Sequence, residues 1–140
     1  MTTLIPGLDS ISGALAAEKL RLELVTENIA NANTTKGPDG KPFRRKVAVF
    51  ESYLPKTEAM GEKNMPTVHV KSIVEDKTPG AKVYDPSHPH ADASGMVEMP
   101  NVQHSREMVD MIAASHAYNA QLKVFKMNRT IAQETLQIGK

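Results

Sequence analysis

The chain has 140 residues, and its 17 lysines and arginines against 16 aspartates and glutamates leave a formal net charge of only +1. This balance excludes a general electrostatic attraction to nucleic acid or to a membrane surface. Cysteine is absent, which excludes disulfides, thiol chemistry and thiolate metal sites. Aromatic residues make up 4% of the chain, so we expect a thin core.

Targeting signals are missing from the sequence. No apolar run approaches the roughly 20 residues that span a bilayer. The first residues, from Met1 to Gly7, lack the basic start and continuous apolar stretch of a cleaved signal peptide. If the protein leaves the cytoplasm, we expect it to use another export route.

Residues 1–34 are predicted to form a long amphipathic helix. Its apolar side chains recur at spacings of three, four and seven, and adding Glu18 and Ala32 completes an a/d heptad ladder. Glu18 is a charge within this apolar seam, where it either selects a helix register or leans to the helix edge. The apolar members of the ladder are Leu8, Ile11, Leu15, Leu22, Val25 and Ile29.

Residues 35–100 hold all but one of the nine prolines, together with most of the turn signals. Between the turns, short β-branched runs predict a small antiparallel β unit that leans on the helices. We expect Val47 and Val49 to share one face of the first strand, and Val68, Val70 and Val74 to share one face of the second. The predicted strands are 44–53, 68–75, 81–84 and 96–99.

Residues 101–140 are predicted to form a second, longer helix from about residue 102 to 138, capped by Asn101 or Ser105. It carries two apolar stripes, which is more than one helical partner requires. The main stripe is Met108, Met111, Ser115, Tyr118, Leu122, Phe125, Arg129, Ala132 and Leu136. The second stripe is Val109, Ala113, Ala117, Ala120, Val124, Ile131 and Ile138.

The lengths of the two helices indicate assembly. Helices of about 25 and 37 residues are about 37 and 55 Å long, whereas a compact domain of this size has a radius of gyration of about 14 Å. The first helix is too short to cover both stripes of the second, so we expect other copies to cover the remainder. The alternative is an intramolecular hairpin, and hence a monomeric helical binding or adaptor module. Either way the fold class is mainly α, with long terminal helices in a coiled-coil or helical bundle and a small β unit between them.

Other site chemistries have weaker support. His88 and His90, flanked by Asp85 and Asp92, are the nearest approach to a metal cluster, but both histidines lie beside prolines in a loop. A hydrolase would need a nucleophile elbow, and Ser115 lies inside a helix. The basic run 44–46 is expected to be a solvated strand edge. We therefore predict no catalytic residue, no cofactor and no metal, and we expect a protein that is not an enzyme.

Several motifs, in order along the chain, resemble those of the axial proteins of the bacterial flagellum, the rod and hook family. The run from Asn28 to Thr34, Asn-Ile-Ala-Asn-Ala-Asn-Thr, resembles the family's N-terminal motif. We expect Asn31 and Asn33 to end the first helix, with contacts across subunits as the alternative role. The stretches 37–46, 83–89, 95–102 and 107–118 resemble the proximal-rod subunit of the same family.

The resemblance implies a structural rod subunit that is exported unfolded by the flagellar type III apparatus and assembles in the periplasm. It implies contacts with further copies of the chain, with the rod proteins FlgB, FlgF and FlgG, and with the adaptor FliE. Nucleic acid and direct membrane insertion are not expected. The helix-packing residues predicted to form subunit contacts are Leu8, Ile11, Leu15, Leu22, Val25, Ile29, Asn31, Asn33, Met108, Val109, Met111, Ile112, Tyr118, Leu122, Phe125, Ile131 and Leu136.

Overall fold

The computed structural model describes residues 8–53 and 66–138; residues 1–7, 54–65 and 139–140 of the predicted sections, and the Ile138 side chain, lie outside the description. The elements are α1 (Leu8–Ala30), β1 (Lys46–Tyr53), β2 (Thr67–Glu75), β3 (Lys82–Tyr84), β4 (Met96–Glu98) and α2 (His104–Ile138). Two terminal helices flank a small antiparallel β region, so the predicted fold class is confirmed.

The two helices pack against each other, and α1 also packs against β1 and β2. The last turns of α1 lie beside the first turns of α2, where Asn28 contacts Glu107, so the helices run in opposite directions. Helix α1 has 23 residues and α2 has 35. At 1.5 Å per residue, α2 is about 18 Å longer than its partner.

Strands β1 and β2 form an antiparallel hairpin whose register shifts between Val49 and Phe50. As a result, no β1 residue lies opposite Lys71 of β2 in the strand pairing. The bulge interrupts the alternation of side chains along β2. Val74 pairs with Val47 and therefore shares the face of Val47 and Val49. The prediction that Val74 shares a face with Val68 and Val70 is wrong, because a one-residue bulge moves every later side chain to the other face.

Strands β3 and β4 form a second antiparallel hairpin of three residue pairs. Gly95 precedes β4 with φ of 74°, a conformation that favours glycine. Gly80 lies so close to the chain before α2 that a Cβ there would be 1.7 Å from the carbonyl oxygen of Met99. This second hairpin is thereby held against the segment that leads into α2.

Few apolar side chains of the described residues are buried. The buried ones are Ala17, Leu24, Val25, Val97 and Ala114. Helix α1 reaches the β1–β2 hairpin closely at Gly13, where a Cβ would lie 2.6 Å from Cγ2 of Thr67 and 2.8 Å from the carbonyl oxygen of Val68. The expected thin core is what the structure has, and close backbone approach replaces large side chains within it.

Candidate assembly surface and the junction behind it

Helix α2 presents a stripe of large apolar side chains to solvent. At 100° per residue, its members fall within a sector about 120° wide. We call this set the α2 stripe; it consists of Val109, Ile112, Val124, Met127 and Ile131, with exposed fractions of 65, 53, 47, 65 and 53%. Exposed large apolar side chains grouped on one side of a helix are typical of a protein interaction site.

The opposite side of α2 faces α1. Ala114 is fully buried there, and Met111, Tyr118, Leu122 and Phe125 are partly buried. The predicted main stripe is therefore largely used within the chain, although two of its apolar members, Met108 and Leu136, are exposed at 44 and 60%. The predicted contact residues thus divide between an internal seam and an uncovered surface.

The heptad ladder of α1 is close to the buried face of this helix but does not coincide with it. Val25 is buried, and the other apolar members of the ladder are partly buried. Ala17, Leu24 and Asn28 are also buried and follow one another at spacings of seven and four. These positions form a parallel ladder that the sequence analysis missed, because a small residue and an amide carry little hydrophobic signal.

Asn28 connects α1 to the start of β1. Its amide nitrogen donates to the Lys46 carbonyl at 2.9 Å, and its amide oxygen accepts from the Lys46 N–H at 2.9 Å. The same amide nitrogen donates to Oε2 of Glu107 on α2 at 3.0 Å. One side chain therefore contacts all three packed elements, and it is completely buried.

Glu107 lies in the first turn of α2, where a carboxylate is favoured by the helix dipole, and it is completely buried. The guanidinium of Arg45 donates to Oε1 of Glu107 and, through Nη2, to Asp110 at 3.1 Å. This planar fork bridges two carboxylates one helical turn apart. Asn28, Arg45, Lys46 and Glu107 are called the junction below.

Asn101 extends the junction toward the β region. Its side chain accepts from the Arg45 N–H at 2.8 Å and donates to the carbonyls of Asp76 and Thr78 at 2.9 and 3.0 Å. Helix α2 begins at His104, so the prediction that Asn101 or Ser105 caps it is wrong. Asn101 is too far from the first turn, and Ser105 is already inside the helix.

The basic run 44–46 is not a solvated edge. Arg44 pairs with Glu98 at 3.0 Å, Arg45 with Glu107 and Asp110, and Lys46 with Glu27. Each cation thus has an acidic partner from another part of the chain. The expectation failed because those partners are distant in sequence.

Asn31 and Asn33 differ in their surroundings. The Asn31 amide donates to the Glu27 carbonyl at 2.9 Å and accepts from the Thr34 hydroxyl at 3.1 Å. These local bonds satisfy groups at the end of α1, in agreement with a capping role. Asn33 is exposed.

The loop around His88 and His90 is built from aspartate turns. Asp85 accepts from Ser87, and Asp92 from Ser94, each through both hydroxyl and backbone N–H. These bonds hold the pKa of both carboxyl groups below its usual value, and the bond from the serine hydroxyl has the largest effect. The Thr78 hydroxyl and N–H lower the pKa of Asp76 in the same way.

His90 contacts the Thr35 hydroxyl through Nδ1 at 2.8 Å. Within residues 8–53 and 66–138, no group of three metal-ligating histidine, aspartate or glutamate side chains comes together. Over the same residues, neither helix has the length and apolarity that crossing a membrane requires.

Two helices that pack together, one of which carries an exposed apolar stripe, place the protein in the class of helical assembly subunits. Comparison with known proteins gives the particular family. Residues 8–38 match the family described as "Flagella basal body rod protein", and residues 93–138 match "Flagellar basal body rod FlgEFG protein C-terminal". The chain belongs to the FlgC family of flagellar basal-body rod proteins, which are structural proteins and not enzymes.

Relatives named flagellar basal-body rod protein FlgC are similar over nearly the whole chain. The Salmonella typhimurium protein is 39% identical over 94% of both chains, and the Aquifex aeolicus protein is 37% identical over 100% of both. The Borreliella burgdorferi protein is 35% identical over 96% of this chain and 97% of its own. The two matched family regions carry Asn28 and Glu107 respectively, so the junction joins them directly.

Proposed function

We propose that this chain is a structural subunit of the proximal rod of the flagellar basal body. Copies pack through their terminal helices into a periplasm-spanning drive shaft that transmits torque from motor to hook. Residues 1–34 and 101–140 form the rod core, and residues 35–100 form a β-rich outer section. The observation that supports this proposal is the α2 stripe, an apolar helix surface that the described part of the chain leaves uncovered.

The energetics favour association through this surface. Burying one large aliphatic side chain contributes about 1.5–3 kcal/mol, and the stripe offers five of them. The few buried apolar residues of the described part leave the chain short of internal packing. Long interlocked helices also resist shear, which a shaft under torque requires.

Partners and route follow from the same proposal. The chain contacts further copies, the rod proteins FlgB, FlgF and FlgG, and the adaptor FliE. It passes unfolded through the flagellar type III apparatus and assembles in the periplasm. The absence of cysteine suits unfolded export, and isolated helices are marginal in water until a partner orders them.

The test is a charge placed in the centre of the stripe. Met127 is 65% exposed, so Met127→Asp should leave the monomer's stability within about 0.5 kcal/mol of wild type. In the native motile host we expect loss of swimming and absence of the chain from purified basal bodies, with normal intracellular and exported amounts. The matched control is Gln133→Asp, at an exposed position about a third of a turn away from Met127 and outside the stripe, and the host that carries it should swim normally.

Two outcomes would contradict the proposal. The first is normal rod formation by Met127→Asp, since a buried interface cannot accept the carboxylate without large cost. The second is a wild-type chain that stays monomeric in sedimentation at high concentration with FlgB, FlgF and FlgG present. That result would favour a monomeric adaptor module.

A further inference from the structure

The junction holds a buried ionic network that the assembly surface does not use. Glu107 and Asn28 are completely buried, and the Arg45 side chain is 18% exposed. Removing a carboxylate and a guanidinium from water costs free energy that their mutual attraction only about balances. Apolar side chains of similar volume would hold these elements about as firmly, so net stability does not account for the network.

We propose that the Arg45–Glu107 pair, oriented by Asn28, fixes the position of the β1–β2 hairpin relative to the helix pair and thereby selects one assembly geometry. The consequence for assembly rests on the proposed rod function. The pair contributes specificity of arrangement more than stability.

The hydrogen-bond geometry supports this role. The Asn28 side chain forms hydrogen bonds with both the N–H and the carbonyl of Lys46, and its amide nitrogen also donates to Oε2 of Glu107. The second oxygen of Glu107 receives Arg45, whose Nη2 reaches Asp110 at 3.1 Å. Hydrogen bonds weaken steeply with misalignment. Sliding the hairpin by one residue, about 3.3 Å, would break all of the bonds that Arg45 and Lys46 make in this network. The bond between Asn28 and Glu107 joins the two helices and would remain.

The relative placement of two exposed surfaces depends on the position of the β1–β2 hairpin. One is the α2 stripe, and the other is the hairpin face that carries Val47, Val49 and Val74, which are 36, 39 and 46% exposed. A neighbouring subunit can contact both surfaces only if their relative placement is fixed, because simultaneous engagement fails when the geometry varies. The junction lies where the hairpin joins the helix pair, so it determines that placement.

The experiment measures the placement directly by paired spin labels. The chain has no cysteine, so cysteines introduced at exposed Ser72 on β2 and exposed Asn119 on α2 are the only attachment points. The wild-type chain should give one narrow distance distribution. Arg45→Met with Glu107→Met should give a distribution at least twice as wide, with unchanged helical circular dichroism and a thermal midpoint within a few degrees. Swimming of the native host carrying this double variant should fall at least tenfold.

The matched control is Arg44→Met with Glu98→Met. It removes an ion pair whose arginine, like Arg45, lies just before β1, and whose side chains are 30 and 37% exposed. This variant should keep the narrow distribution of spin-label distances, and the swimming of its host should stay within twofold of wild type. If the junction double variant fails to fold, Arg45→Lys replaces it. Lysine keeps the charge but cannot bridge two carboxylates with a planar fork, so it should fold and still broaden the distribution.

A narrow wild-type distribution in the variants would overturn the proposal, and so would a broadened distribution with normal swimming. A loss of swimming that merely follows a lowered thermal midpoint would show a stabilising role instead. Met127→Asp separates the two proposals, because it should abolish assembly while the distance distribution stays narrow. If that variant assembles, the rod interface is wrong and the distance measurement still tests the junction.

Discussion

The buried amide of Asn28 pairs with both backbone groups of Lys46, at 2.9 Å each, as a neighbouring strand residue would. A residue of helix α1 thereby satisfies the N–H and the carbonyl at the first position of β1. Without the Asn28 side chain, these two backbone groups would face a helix whose own backbone groups are already hydrogen-bonded within the helix. Asn28 therefore acts as a connector between helix and sheet.

Asn28→Ala should lower the free energy of unfolding by about 2–4 kcal/mol, because buried backbone groups of Lys46 and an oxygen of Glu107 lose their partner. Urea denaturation followed by circular dichroism measures the change. The control is Asn33→Ala, in the same motif but exposed, which should stay within about 0.5 kcal/mol of wild type. Equal effects of the two substitutions would contradict the connector role.

Gly13→Ala should destabilise the chain by about 1–3 kcal/mol, although alanine is the better helix former by about 1 kcal/mol. The added Cβ would lie 2.6 Å from Cγ2 of Thr67 and 2.8 Å from the Val68 carbonyl oxygen. The double variant with Thr67→Ser lacks that methyl group and should recover part of the loss. Thermal unfolding measures both, and a stabilised Gly13→Ala would show that α1 does not approach β2 this closely.

The helices and strands could be predicted because their signals are local. Observed strand boundaries fall within two residues of the predicted ones, since β-branched runs end at proline and glycine turns. Position 71 could not be predicted as a bulge, because nothing in the run from Val68 to Val74 marks one extra residue. The face assignment of Val74 failed for that reason alone.

The junction could not be predicted because its partners are remote. Asn28 lies 18 residues from Lys46 and 79 from Glu107, and a single sequence contains no signal for such pairings. An asparagine near a helix end also has a sufficient local explanation as a cap. Val109, Val124 and Ile131 of the α2 stripe belong to the second stripe predicted from apolar periodicity, whereas Ile112 and Met127 belong to neither predicted stripe.

Acid should weaken the three aspartate turns at 76–78, 85–87 and 92–94. Their carboxyl pKa values are lowered in the fold, chiefly by the hydroxyls of Thr78, Ser87 and Ser94. A lowered pKa contributes stability that is present above the unfolded value of about 3.9 and is lost as pH falls through the folded value. Unfolding free energies measured from about pH 5 to pH 2 should therefore fall.

The combined variant Thr78→Val, Ser87→Ala, Ser94→Ala should show a shallower fall over the same pH range, because its carboxyl pKa values return toward their ordinary level. Carboxyl chemical shifts in NMR titrations report the three pKa values directly. Ser72→Ala, at an exposed serine of β2, is the control and should keep the wild-type slope. Identical slopes in wild type and combined variant would remove the hydroxyls as the cause.

Glu18 occupies an apolar ladder position of α1, and its Oε2 is buried without a hydrogen bond to any residue that the structure describes. Its cation contact is Arg21, whose Nη1 lies 3.8 Å away, beyond hydrogen-bond range. Glu18→Leu should therefore raise the free energy of unfolding by about 1–2 kcal/mol, as an unsatisfied buried acceptor is replaced by an apolar contact. Glu23→Leu, whose carboxylate pairs with Lys19 at the exposed surface, should change it by less than about 0.5 kcal/mol. If urea denaturation instead finds Glu18→Leu destabilising by more than about 1 kcal/mol, the carboxylate selects the helix register, as a polar residue in a heptad seam can.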